Sequence, residues 1–224
     1  MGRLTAALAL IALPFALCMI TAVQGGCFIP ALIGGMAESY AEVANHTVEA
    51  EYKGLEGKSF VVVVTADRSI ESTFPALVPA VTEKIFEHLY KESGASGCIP
   101  PVQSLAFLYN NPRWLARPRA ELAKELGVER LVNVEIQEFR VNDPGNQYLW
   151  DGVALGTVGV LESDTTAPDL YSFEKQVMVK FPDKSGMGPT DISGQVVQSE
   201  LLVRFVNRAS WPFYEHEEKI RPDY

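Results

Sequence analysis

Three cysteines and three histidines in 224 residues are too few for a disulfide scaffold or a zinc cluster. His46, His88 and His216 stand far apart, without the spacing of metal ligands, so no metal and no cofactor is expected. Positive charge is also scarce. The 19 Lys and Arg residues face 28 Asp and Glu, leaving a formal charge of −9. Such a chain repels phosphate backbones and anionic bilayer surfaces, so nucleic acid is not expected as a partner. No Gly-x-Ser-x-Gly elbow occurs. The first long strand is followed by Thr65-Ala66-Asp67-Arg68, which lacks the glycines of a dinucleotide loop. No internal repeat and no low-complexity segment is present. With 47% hydrophobic and 21% charged residues, the composition is that of a folded globular chain.

One apolar run is long. Leu4 to Val23 is nearly uncharged, with Arg3 before it and Gly25-Gly26 after it. Residues 1–26 therefore read as an export signal. The run is also about long enough to cross a bilayer, but the small residues at its end favour processing. Cys27 directly after Gly25-Gly26 resembles the lipobox of bacterial lipoproteins. That resemblance implies cleavage before Cys27 and diacylation of its thiol. Gln24 departs from the aliphatic or small residue usual at its position. Two acyl chains suffice to hold a domain on a bilayer. Phe28 rather than Asp follows the cysteine, which in lipoprotein systems favours the outer membrane. The resemblance thus implies a periplasm-facing location in a bacterial envelope. Ordinary cleavage near Gly25 is the alternative, and it would leave Cys27 free to bridge to Cys98. Cys18 departs with the signal in both cases.

Residues 27–46 read as anchor cysteine and tether, 47–216 as one domain and 217–224 as an acidic tail. Val48, Ala50 and Tyr52 alternate with charged residues, which predicts a short strand. Phe60 to Val64 is a β-branched run of the kind found in strands buried on both faces. Helical spacing predicts a helix from Phe74 to Glu92 that starts late or bends at Pro79. Val102 to Tyr109 is expected as a strand, Arg119 to Leu126 as a helix closed by Gly127. Leu131 to Val141 changes parity, predicting a bulge near Gln137-Glu138. Strands over 150–161 and 171–181 and a helix over 192–210 complete the order. The expected class is α+β: a single mixed sheet of five to six strands with two to three helices on it.

Three stretches carry a resemblance: Gly54-Leu55-Glu56-Gly57-Lys58 before the valine strand, Glu121 to Ile136, and the hairpin from Trp150 to Phe181. Together they resemble the small α/β domain of bacterial envelope lipoproteins. Those relatives include the lipoprotein activators of penicillin-binding proteins, the curli secretion channel subunit and the amino-terminal domain of the Tol-system propeller protein. Val128 and Glu129 replace the alanine and aspartate usual at the end of their helix. The resemblance implies a non-enzymatic envelope domain that binds another envelope protein or its own copies, with no catalytic residue to transfer.

Candidate surface residues fall in two places. Arg113, Trp114 and Arg117 form a basic, aromatic spot on an acidic chain. Trp211, Phe213 and Tyr214 follow the last helix, where they could dock a partner or cap the core. Two other classes of function have candidates. An exported hydrolase would use Cys98, or Glu135 and Glu138 on one strand. The nearest histidine for such a thiol, His88, is expected to face solvent between Glu87 and Lys91. A small-ligand module would use the crevice at the carboxyl end of the valine strand, near Asp67 and Arg68.

Overall fold

The computed structural model describes residues 45–219. The expected signal, Cys27 as the expected lipidation residue and nearly all of the expected tether lie outside these residues. Thr47 to Glu217 form a compact unit.

The centre of the unit is β2 (Ser59–Ala66). Its run of β-branched residues favours extended backbone and packs on both faces. Phe60, Val62 and Val64 enter one hydrophobic cluster, while Val61 and Val63 enter a second on the opposite face. β2 pairs in parallel with the two-residue β3 (Gly97–Cys98) and with β4 (Arg130–Arg140). β4, β5 (Gly152–Glu162) and β6 (Tyr171–Phe181) continue as an antiparallel meander. The sheet order is β3-β2-β4-β5-β6. Among the described residues the fold is α+β, with five α-helices and this five-stranded mixed sheet. A separate two-stranded sheet joins β1 (Asn45–Val48) to β7 (His216–Lys219).

The expected bulge is present, since the β4–β5 register shifts between Ile136 and Glu138. The strand expected over 48–52 ends at Val48. Beyond it, the Tyr52 N–H donates to the carbonyl of Pro212 at 2.9 Å. Pro212 has no N–H to return, so no ladder can grow there. A separate short helix not expected from the sequence, α1 (Arg68–Thr73), precedes the helix expected over 74–92, which starts late, as α2 (Leu77–Glu92). Pro79 falls in the first turn of α2, where amides lack an intrahelical partner in any case. Val102 to Tyr109 is not a strand but lies within α3 (Pro101–Asn110). Pro101 presets its first turn, and Ser104 and Leu108, four residues apart, are its buried pair. A short apolar run has no period that separates the two outcomes.

α2 and α5 (Gly194–Ser210) cover one face, burying Leu77, Val81, Ile85 and Leu89 beside Val197, Leu201 and Phe205. α5 lies close to β5 because Gly152 and Gly156 offer no side chain. A Cβ on Gly156 would lie 2.5 Å from the Glu135 carbonyl oxygen and 2.9 Å from Phe205 Cζ. The other face is covered more thinly. α3, a 3-10 turn (Pro112–Ala116) and α4 (Arg119–Leu126) supply Leu108, Trp114, Leu122 and Ala123. Toward β6 this face opens, and Met178 stays 54% exposed.

The amino end of β2 is fastened by a polar network. Arg130, buried at the start of β4, donates to the Gly54 carbonyl at 3.0 Å and to Asp164 at 2.6 Å, and lies 3.4 Å from Glu162. The Tyr52 hydroxyl donates to Glu162 at 2.8 Å. Burial and the neighbouring Glu162 carboxylate push that hydroxyl well above its usual range.

Candidate groove at the carboxyl end of the valine strand

At the other end of β2 the chain leaves the sheet through Thr65, Ala66 and Asp67 into α1. Two cavities meet there, sharing Thr65, Ala66 and Leu115. The larger, about 560 Å³, is mostly apolar. Val64 and Val78 line it from the sheet and α2, Leu105, Leu108 and Tyr109 from α3, and Trp114 and Leu115 from the 3-10 turn. Leu108 and Trp114 are buried in its floor, whereas Tyr109 and Leu115 are 86% and 60% exposed. Arg68 and Glu71 stand at its margin.

The smaller cavity, about 340 Å³, is polar. Thr65, Asp67, Arg119, Asn133, Glu135 and Tyr171 line it. They come from the end of β2, from β4, from β6 and from the start of α4, brought together by register. Asn133 on β4 stands opposite Gly159 on β5. A Cβ at Gly159 would lie 2.6 Å from Tyr171 Cδ1, so only glycine lets that ring lie on the sheet. Its hydroxyl then accepts from Asn133 Nδ2 at 2.9 Å, and burial raises it above its usual range. Asp169, just before β6, accepts from the Ala120 N–H at 3.2 Å and ties this corner to the start of α4. The Arg119 guanidinium sits 4.7 Å from the centre of the Trp114 ring and donates to the Trp114 carbonyl at 3.3 Å.

The structure brings several expected residues here. Asp67 lines the polar cavity and Arg68 the apolar one. Trp114 is 8% exposed, part of the floor rather than of the outer surface. Arg113 remains exposed, and Arg117 bonds Glu125 at 2.6 Å and Glu121 at 3.4 Å. Glu135 lines the polar cavity, but Glu138 lies beyond the bulge and bonds Arg140 at 2.6 Å.

The carboxyl-terminal aromatics sit elsewhere. Phe213 is 3% exposed and packs its ring against Tyr52 and Phe173. Trp211 stacks on His216 at 4.7 Å. The Tyr214 hydroxyl bonds Ser210 Oγ at 3.0 Å. His88, expected to face solvent, instead turns toward α5. Its Nδ1 is 3.0 Å from Ser210 Oγ and 3.2 Å from the Tyr214 hydroxyl. Burial holds this imidazole below its ordinary range. Cys98 packs against the main core, and burial pushes its thiol up. Among the described residues no group of three or more His, Cys, Asp or Glu side chains is placed to hold a metal.

Sequence reasoning missed Asn133, Tyr171, Tyr109 and Leu115. Only Asn133 carries a local signal, as an amide inside the run Leu131 to Ile136.

No protein-family model matches the chain, and no curated protein matches it significantly. Several solved structures align to it. The PelC dodecamer from Paraburkholderia phytofirmans is 11% identical, with 76% of this chain and 98% of that one covered and a TM-score of 0.43. Lipoprotein GNA1162 from Neisseria meningitidis is 12% identical, covering 66% and 95%, with a TM-score of 0.45. The hypothetical protein CT253 from Chlamydia trachomatis is 17% identical, covering 69% and 98%, with a TM-score of 0.39. One of these three is a lipoprotein by its name, and another is a dodecamer. Scores this low carry no functional argument. The relatives expected from the sequence pattern are not among these three.

Proposed function

We propose that this protein is a lipid-anchored component of a bacterial envelope that works by holding another protein, with no chemistry of its own. Cys27 supplies the anchor in this reading. The partner lays an apolar side chain into the larger cavity, between Tyr109 and Leu115 and onto Trp114. The observation that carries the reading is that pair of exposed apolar side chains above a buried aromatic floor. A protein interface concentrates its binding energy in such desolvated aromatic pockets. Arg68 at its margin and exposed Arg113 on the 3-10 turn favour an acidic rim on the partner, while Arg117 is already paired with Glu121 and Glu125.

The test is a photo-reactive phenylalanine analogue placed at position 109 of the full-length protein in intact cells. Tyr148, also exposed, provides the control position. A single heterologous adduct from position 109, absent from position 148, supports the reading. A ladder of multiples of the protein itself makes the partner a second copy. No adduct from either position overturns the reading. Acylation is checked separately, by palmitate labelling that Cys27→Ala abolishes.

A further inference from the structure

The polar cavity contains a bonding deficit that the protein-binding reading does not use. Asn133 is 6% exposed, and among the described residues its Oδ1 has no hydrogen-bond partner. A buried amide carbonyl left unpaired costs stability, so folded chains normally satisfy it. Asn133 is also held in place, because its Nδ2 is committed to the Tyr171 hydroxyl. Exchanging the two ends of the amide moves the deficit to the nitrogen without removing it.

The neighbours define what could fill the gap. The Glu135 carboxylate lines the same cavity two residues along β4, on the same face as Asn133. The Arg119 guanidinium lines it from the start of α4, fixed over the Trp114 ring. The cavity therefore presents a carbonyl and two carboxylates, those of Glu135 and Asp67, which want N–H donors, together with one guanidinium, which wants a carboxylate. An inorganic anion would meet Glu135, and a simple amine would meet Arg119. A ligand carrying both charges avoids each repulsion.

We propose that this cavity binds a small zwitterion of the α-amino-acid class. The ammonium group donates to Asn133 Oδ1 and Glu135. The carboxylate lies against Arg119. About 340 Å³ is ample for such a molecule. The site is independent of the apolar cavity's partner, so either proposal can fail without the other.

The experiment is a melting-temperature screen of the full-length protein in detergent against each of the twenty L-amino acids. The N-acetyl amino-acid amides, which lack both charges, are the controls. At a hundredfold excess over Kd, one or more free amino acids should raise the melting temperature by about 5–10 °C. The corresponding acetyl amide should not. Asn133→Leu should melt at or above the wild-type temperature without ligand yet lose the ligand shift. Arg119→Gln and Glu135→Gln should each weaken binding; exposed Glu135→Gln should leave the unliganded melting temperature nearly unchanged, whereas Arg119→Gln also gives up its contacts with Trp114 and should lower it slightly. The proposal is overturned if no free amino acid moves the melting temperature, which would assign Asn133 Oδ1 to a water molecule. It is equally overturned if the acetyl amides act as well as the free forms.

Discussion

Replacing Gly156 by alanine tests whether α5 really rests on a glycine-thinned strand. The added methyl carbon would lie 2.5 Å from the Glu135 carbonyl oxygen, 2.9 Å from Phe205 Cζ and 3.2 Å from Phe205 Cε2. Real contacts of this kind begin near 3.4 Å, so something must shift. The carbonyl belongs to the neighbouring strand, whose pairing with β5 fixes its position. The Phe205 ring is fully buried among Val and Leu side chains and has no open space to enter. Overpacking of this sort costs about 1–3 kcal/mol. In a unit of this size that lowers the melting temperature by roughly 2–12 °C. Thermal denaturation followed by circular dichroism reads the shift. Phe205→Leu should relieve the ring contact but not the carbonyl contact. The double variant should then lose less stability than the two singles together, with a coupling of about 0.5 kcal/mol or more. An unchanged melting temperature for Gly156→Ala, or strict additivity in the cycle, would refute the close approach.

Three further expectations follow from other parts of the fold. Arg130→Met leaves Glu162 with the Tyr52 hydroxyl and Asp164 with Lys58 but removes the charged hydrogen bonds of a buried guanidinium, and should cost about 1.5–3 kcal/mol in urea unfolding; a loss below about 1 kcal/mol would show that the network does not fasten β2. His88 is held below its ordinary value of 6.5 by burial, so the unfolded chain takes up its proton first as the pH falls. Its contribution is complete above about pH 6.5 and fades below it, a dependence that His88→Leu should flatten in urea titrations at pH 5 and pH 7.5. The Cys98 thiol, raised by burial, should react with maleimide several-fold more slowly in the folded protein than after unfolding, measured on the Cys98 peptide by mass spectrometry.

The sheet was legible in the sequence because its signals are local. β-Branched runs, turn residues and a parity change mark β2, β4 and β6, and the change of parity placed the bulge. α3 was not legible, since a ten-residue apolar segment reads equally as strand or helix until its buried side is known. The crevice near Asp67 and Arg68 could be expected because parallel strands leave an opening at their carboxyl ends. Its contents could not. Asn133 meets Tyr171 only through the register of three strands, and Tyr171 lies flat only because Gly159 stands beneath it. His88 misled for a related reason. Its own helix surrounds it with charge, while the group that dries it comes from α5, far along the chain.

The hydrogen bond from Tyr52 to Pro212 has a geometric consequence. It brings the first and last parts of the compact unit together beside the Arg130 network, at the amino end of β2. The groove opens where β2 finishes, roughly 23 Å further along the strand at about 3.3 Å per residue. The two ends of β2 thus do different work: the Arg130 network pins the crossing of the chain at one, and the recess opens at the other, with the sheet between them as the spacer.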